Sequence, residues 1–565
     1  MAGNILTPLA IWKDFKIEGV PQAKLIKEEN VDGVIFTHYY LQGRAVGEEN
    51  VEIYGVLAKR SQRAVAPAVL LVQDLEQLPD RELTIDLVKR GYTVFSVDIA
   101  GKAEGKENYT VYPSQIDYAN YQNVKDTLYV VEGEVVKTCW YEWTCVLKYA
   151  LKYLKSLSKV SRVGAIGVKE SATALWQVAG MDFDGDLACS IFALNAGWNG
   201  YRGINKFGGM VEPQFSDNMY KFIAGVEPQA YAMHVKCPTL VLSATNSPLY
   251  DCDRAYDTIS RIETGYTVIQ YSVGYSDRIS NQAYLCALTF LEVFLKKDGA
   301  KADALPYETD ISCEIKDGKI VVSVTPFAKN IAEVELFVAE EVNNPSLRCF
   351  TKVIGGEKTK DGVYEFSYLP YPESGSVTMF AQVNFKGDMA VGSKIINKKF
   401  SPEEITHAHK SNLLYSSREK NAESVFYSAN QDGKDHLFLK KEDDAVIVKK
   451  GPMGIEGVYS KDGLLSFKFG TKKDRPANDA MFMCDVYSKT AGEMWVKLIA
   501  DYFGDKTEYV YKVNLSGGDV WQNVKAEISK FKTAEGRTLK TLEKIQAVEL
   551  GTDSGEYLIN NALWV

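Results

Sequence analysis

The sequence predicts an α/β domain built on a mostly parallel sheet, followed by two antiparallel β-sandwich domains. Three observations carry that prediction. Short β-branched runs alternate with helical patterns between residues 67 and 297. From residue 301 period-two strands with hairpin signals take over, and no long helix intervenes. The 565 residues are also too many for a single core, at roughly 100–200 residues per domain. The expected domains are 1–300, 301–400 and 401–565.

In the first region the expected strands are 68–73, 93–98, 162–167, 188–194, 239–244 and 267–271. Segment 140–154 places Trp140, Trp143, Leu147, Ala150, Leu151 and Leu154 on one stripe at helical spacing, so it reads as an amphipathic helix with its aromatics in the core. A last helix over 282–295 is apolar on most sides. Lys296, Lys297, Asp298 and Gly299 stop it and set the first boundary near residue 300. Beyond it, CEIKDGKIVVSV, VELFVAEEV, DGVYEFSYL and VTMFAQVNF alternate as a small sandwich. After the polar stretch SPEEITHAHKSN, strands resume near Ala422 with LLSFKFG, AMFMCDVYS, MWVKLIADYF, TEYVYKVNL and EYLINNALWV, a second and larger sandwich.

Composition narrows the function classes. A hydrophobic share of 46% and a charged share of 25% describe a packed, ordered protein. The net charge of −9 comes with no dense Lys/Arg block, so neither nucleic acid nor an anionic membrane surface is an expected partner. No apolar stretch approaches the roughly 20 residues of a membrane span. The opening MAGNILTPLAIWKDF has no basic leader and is interrupted by Pro8 and Lys13, so a cytoplasmic location is expected. Nine cysteines with no CxxC pair and no histidine at ligand spacing read as reduced, buried thiols, and no metal or cofactor is expected.

One stretch has the form of a catalytic turn. In G-x-S-x-G the small flanking residues let a strand turn sharply into a helix and expose one nucleophilic side chain. The matching stretch, RVGAIGVKESATALW, has Gly167 as the first glycine, Lys169 at the nucleophile position and Ser171 at the second glycine.

Several blocks in order, spread over 30–297, resemble the acetyl xylan esterase-like branch of the α/β-hydrolases. They are VEIYGVLAK before PAVLLVQD, GYTVFSVDIAGKAEGKENYTVYP, and the Trp-Tyr-x-Trp helix CWYEWTCVLKYALKYL. The resemblance implies an α/β-hydrolase fold and places an acid where CPTLVLSATNSPLYD has Ser247, and a histidine where SVGYSDRIS has Asp277. All three catalytic positions thus depart from the pattern, and loss of one triad member alone costs several orders of magnitude in rate.

No other residue is an evident substitute. Ser171, half a turn into the helix, is expected to point away from the pocket apex. His38, His234, His407, His409 and His436 all lie elsewhere than after the last hydrolase strand, and His234 reads as structural. Asp251 and Asp253 are displaced-acid candidates that lack a base. The oxyanion-side loop VQDLEQLPD has none of the expected glycines. A desolvated lysine at the elbow can serve as a base or form a Schiff base, but an ion pair is the preferred reading. The expectation is a chain Lys169–Asp277–Ser247 that fills the old relay with satisfied charge.

Residues 301–400 resemble an immunoglobulin-like spacer. The C-terminal stretch, with WQNVKAEISKF and EYLINNALWV, resembles a jelly-roll carbohydrate-binding module, which implies stacking of aromatics on pyranose rings; Trp495, Tyr509, Tyr511 and Trp521 are the candidates. Exposed sheet edges offer self-association surfaces, so a saccharide ligand and a homo-oligomer are the partner expectations. The leading expectation is a catalytically silent α/β-hydrolase relative acting in binding, structure or assembly. The alternatives are an active intracellular carbohydrate esterase or deacetylase with an unconventional residue set, and a carbohydrate-binding protein.

Overall fold

Nine strands build the first sheet: β1 (Ala23–Val31), β2 (Val34–Val46), β3 (Glu49–Arg60), β4 (Ala66–Val72), β5 (Thr93–Val97), β6 (Val160–Val168), β7 (Leu187–Ala193), β8 (Thr239–Ala244) and β9 (Thr267–Ser272). Their order is β1-β2-β3-β5-β4-β6-β7-β8-β9. The lead-in β1-β2-β3-β5 is antiparallel, and every pairing from β5 to β9 is parallel. The computed structural model describes residues 6–565 except 62–63, 78–79, 209–212, 264, 297–304, 342–343, 420, 432–436 and 439–445.

Strands covered on both faces must be apolar on both faces, and Val69, Leu70 and Leu71 of β4 are all buried. The expected helix is Cys139–Ser156, started by the Thr138 hydroxyl, which accepts from the Tyr141 backbone N–H. Its Trp140 and Trp143 are buried, and their indole N–H groups donate to the carbonyls of Leu128 and Ala119 at 2.8 Å each. Those two bonds let the largest side chains enter the core without an orphaned donor. The last helix is Asn281–Leu295; the helix-stop residues Lys297, Asp298 and Gly299, and the boundary near residue 300, lie outside the described residues. Strand order, antiparallel lead-in and the strand-to-helix turn after β6 make this an α/β-hydrolase fold.

Two pairs of antiparallel sheets follow. In the first pair, Thr309–Lys316, Lys319–Pro326, Tyr364–Tyr368 and Glu357–Lys358 form one sheet, and the other centres on Ile331–Glu340 and Ser376–Phe385. In the second pair, Tyr557–Trp564 runs through the middle of one sheet between Glu456–Tyr459 and Met481–Ser488. Ile545–Thr552 and Gly492–Ala500 lie at the centre of the other. The strands of this last region resume at Leu413–Tyr415 rather than near Ala422, because a three-residue strand has no alternation to read.

The three regions pack tightly on one another. Arg348 makes a two-pronged ion pair with Asp253, with Nη2 to Oδ2 at 2.8 Å, and both side chains are about 1% exposed. Asn246 Nδ2 donates to the carbonyls of Ser346 (2.9 Å) and Arg348 (2.7 Å). The Tyr271 backbone N–H donates to Gln382 Oε1 at 3.0 Å, and its ring centroid lies 4.7 Å from that of Phe380. On the last region, Leu465, Phe467, Ile499 and Ala547 form a buried cluster with Cys349 and Tyr427, which covers that sheet face. Gly274, with φ +80°, admits this approach: a Cβ there would lie 2.0 Å from the Tyr427 ring. All nine cysteines are free thiols and all but the half-buried Cys313 are buried. No described helix is long and apolar enough to cross a membrane.

Candidate functional site

The elbow forms where β6 runs into the helix Lys169–Gly180. Gly167 is required by closeness, since a Cβ there would meet Leu175 Cδ2 at 2.9 Å and the Ala172 backbone at 3.0 Å. Lys169 sits in the left-handed region at φ +50°, a conformation that costs a lysine roughly 1 kcal/mol or more and persists because the strand and helix on either side fix it.

The Lys169 side chain does not project into open space. The residue is 5% exposed, and its ammonium lies 3.0 Å from Asp277 Oδ2 and 3.3 Å from Asp74 Oδ2. Burial by itself would lower the lysine's pKa, but the charges of Asp74 and Asp277 and the hydrogen bonds to both outweigh it, so the pKa is raised. The cation therefore stays protonated. Asp74 feels a different balance: burial first and then the charge of Glu170 push its carboxyl up to about 6, against the pull of Lys169 and the Leu75 N–H. Burial opposes the charge of both groups: it is outweighed at Lys169, which faces two carboxylates, and prevails at Asp74, which also feels Glu170.

Asp74 reaches the site from the loop after β4. That loop is pinned by Lys106, whose buried ammonium donates to the Leu75 carbonyl (2.9 Å) and pairs with Asp98 (2.7 Å). The hollow below it, lined by Gln73, Asp74, Ser96 and Lys106 among others, holds about 20 Å³, room for a water-sized molecule and not for an acyl group. Glu170, next to the elbow, is held by two phenols, Tyr129 at 2.8 Å and Tyr250 at 2.6 Å, and the Arg202 guanidinium lies 4.3 Å over the Tyr129 ring and donates to its hydroxyl.

Lys169 and Asp277 are thus neighbours, and Ser247 is not joined to them. Its Oγ accepts from the N–H groups of Leu249 (3.3 Å) and Tyr250 (3.1 Å), while its carbonyl accepts from Ser346 Oγ (3.2 Å). A short hydroxyl beside a free N–H satisfies its own turn before it can reach another side chain. The second carboxylate on the lysine is Asp74 in its place. The signal for it was an acid in VQDLEQLPD facing an elbow that carries a cation. Ser171 is fully buried, and its single hydroxyl proton lies between the carbonyls of Val168 (2.7 Å) and Val72 (3.2 Å), so it is a strand-to-helix fastener. Asp251 caps the helix Cys252–Ile259 and pairs with Arg254, and Asp253 belongs to Arg348. His234 ends a short helical turn away from the elbow.

The four aromatic candidates of the last region do not share a surface. Trp495 alternates with the buried Met494 and Val496, so it lies on the outer face of its sheet, with Lys497 Nζ 4.8 Å over its ring. Tyr509 and Tyr511 pack against the interior cluster. Trp521 stands on the opposite sheet beside Tyr487, at a ring separation of 6.0 Å, and donates to the Pro452 carbonyl. The described residues include no group of three metal-ligating side chains.

No protein-family model matches the chain, and no curated protein matches it in sequence. Among solved structures, it is similar to an acetyl xylan esterase from a Paenibacillus species, at 12% identity and a TM-score of 0.38, over 51% of this chain and 92% of that one. It is also similar to an acetyl xylan esterase from a Thermoanaerobacterium species, at 14% identity and a TM-score of 0.34, over 47% of this chain and 84% of that one.

Proposed function

We propose that the protein has an α/β-hydrolase fold without acyl-transfer chemistry and works as a binding or assembling protein. The observation that carries this reading is the protonated Lys169 held between Asp277 and Asp74 at the seat of the nucleophile. Acyl transfer needs a nucleophile that a neighbouring base can deprotonate. Here the elbow residue is a cation, its neighbours are carboxylates that stabilise its charge, and no described histidine stands at Asp277's place. A Schiff-base or general-base lysine needs a lowered pKa, and the two carboxylates move it the other way.

Hydrolysis of p-nitrophenyl acetate by the purified protein tests the reading, beside a variant carrying Lys169→Ser, Ser247→Asp and Asp277→His. Wild-type turnover at the buffer background supports it. Wild-type turnover abolished by Lys169→Met overturns it, in favour of an esterase with an unconventional residue set.

A further inference from the structure

The loop that carries Asp277, residues 273–280, is hydrogen-bonded in two halves to different parts of the chain. It leaves β9 and closes at the start of the helix Asn281–Leu295, where the Ser280 N–H donates to Ser272 Oγ at 3.0 Å. The first half is tied within the hydrolase-like region. The Gly274 N–H donates to Thr245 Oγ1 at 2.8 Å, and the Tyr275 carbonyl accepts from the Asn246 N–H at 2.9 Å. The second half is tied to the last region. The Ser276 N–H donates to Gln431 Oε1 at 3.0 Å, and the Ile279 N–H donates to the Leu437 carbonyl at 2.9 Å. Asp277 stands between these two ties, with its carboxylate on the Lys169 ammonium.

The grip from the last region is set in advance. Gln431 is aimed by its own amide, whose Nε2 donates to the Ser428 carbonyl at 2.8 Å, so its oxygen meets the loop with little rotamer freedom left to lose. Ile279 bridges to Phe438 in parallel fashion. Leu437 and Phe438 are buried in the same apolar cluster as Ile279, and the Phe438 ring centroid lies 5.4 Å from that of Tyr284. Two large apolar side chains and two backbone ties hold residues 276–279 more firmly than the ion pair does, because the Asp277 carboxylate is about a third exposed and partly screened by water.

We propose that the last sandwich sets the position of Asp277 and so acts as a strap on the elbow. While Gln431, Leu437 and Phe438 hold residues 276–279, Asp277 stays on Lys169 and covers the ammonium; when they let go, that half of the loop lifts and Lys169 is uncovered. The coupling does not depend on whether the elbow is silent. The test reads the elbow and the loop together in the full chain: acetylation of Lys169 by acetic anhydride, followed by mass spectrometry, beside hydrogen exchange over 273–280. Gln431→Ala and Phe438→Ala are each expected to speed Lys169 acetylation about tenfold, with faster exchange over 276–279 and unchanged exchange over β8. Gln431→Ala removes no buried apolar group, and it decides the case if Phe438→Ala loosens the whole fold. Ser346→Ala, which cuts a tie from the middle region to the Ser247 carbonyl, is expected to leave Lys169 as slow as in the wild type. Asp277→Asn is expected to leave exchange over 276–279 slow, since the strap holds that half without the ion pair. Lys169 acetylation unchanged in Gln431→Ala would overturn the proposal, and so would an Asp277→Asn loop that exchanges as fast as that of Gln431→Ala, because the ion pair would then be the fastening.

Discussion

Two of the buried ionic centres among the described residues differ in how their charges are matched. Arg348 and Asp253 meet one to one, with two parallel hydrogen bonds and almost no exposure. At the elbow a single ammonium, Lys169, answers to Asp74 and Asp277 directly, and the charge of Glu170 also reaches Asp74. A matched pair held by two parallel hydrogen bonds acts as a fixed fastener between regions. At the elbow, burial first and then the charge of Glu170 raise the Asp74 carboxyl, which makes it the acid there that can take up a proton.

The comparison breaks most visibly at the matched pair. Arg348→Ala leaves Asp253 buried and unpaired, and the expected loss is about 3–5 kcal/mol in denaturant unfolding. Replacing both partners with apolar residues, Arg348→Met with Asp253→Leu, is expected to recover most of it. Lys169→Met should cost less, about 1–3 kcal/mol, because Asp277 is about a third exposed to water and Asp74 can take up a proton. That cost should be larger at pH 8 than at pH 5, which the same unfolding experiment at the two pH values checks.

Asp74→Asn sharpens the distinction. The Asp74 carboxyl is raised from 3.8 to about 6 in the folded protein, so between those values the native state keeps a proton that the unfolded chain has released. Its contribution to stability is therefore present below about pH 4 and is lost as pH rises through about 6. The melting temperature of Asp74→Asn minus that of the wild type should grow over this interval, and a flat difference would remove Asp74 from the account. The smallest effect belongs to Ser171→Ala, about 1 kcal/mol from one hydroxyl proton shared between two carbonyls, with ester hydrolysis unchanged from wild type.

Much of the framework was legible in the sequence because periodicity is local. The parallel strands, the Cys139–Ser156 helix and the β-rich character of the last 250 or so residues all follow from patterns within one element. What failed was long-range or ambiguous. Asp74 lies 95 positions before Lys169 in the chain, and its one signal, an acid in VQDLEQLPD with a cation at the elbow, has to be read across that distance. Arg348 and Asp253 are likewise 95 residues apart. In TEYVYKVNL Tyr509 and Tyr511 share a face with Val513 and Leu515, opposite Glu508, Lys512 and Asn514, so alternation places them inward, where they pack; their candidacy for stacking follows the resemblance to a carbohydrate-binding module in place of the alternation. Ser247 was placed by motif alone, and a hydroxyl that can bond its own turn gave no hint that it would do so.

The place of Tyr557–Trp564 bears on how the protein is made. This strand pairs with Glu456–Tyr459, Leu413–Tyr415 and Met481–Ser488, so three earlier segments of its sheet wait for a partner at the far end of the chain. During synthesis the hydrolase-like region can complete its nine strands early, while the last sandwich remains an open sheet with unpaired edges until Tyr557–Trp564 leaves the ribosome. Those edges, and not the finished surface, are where a nascent chain of this kind is most exposed to mispairing and most in need of a chaperone.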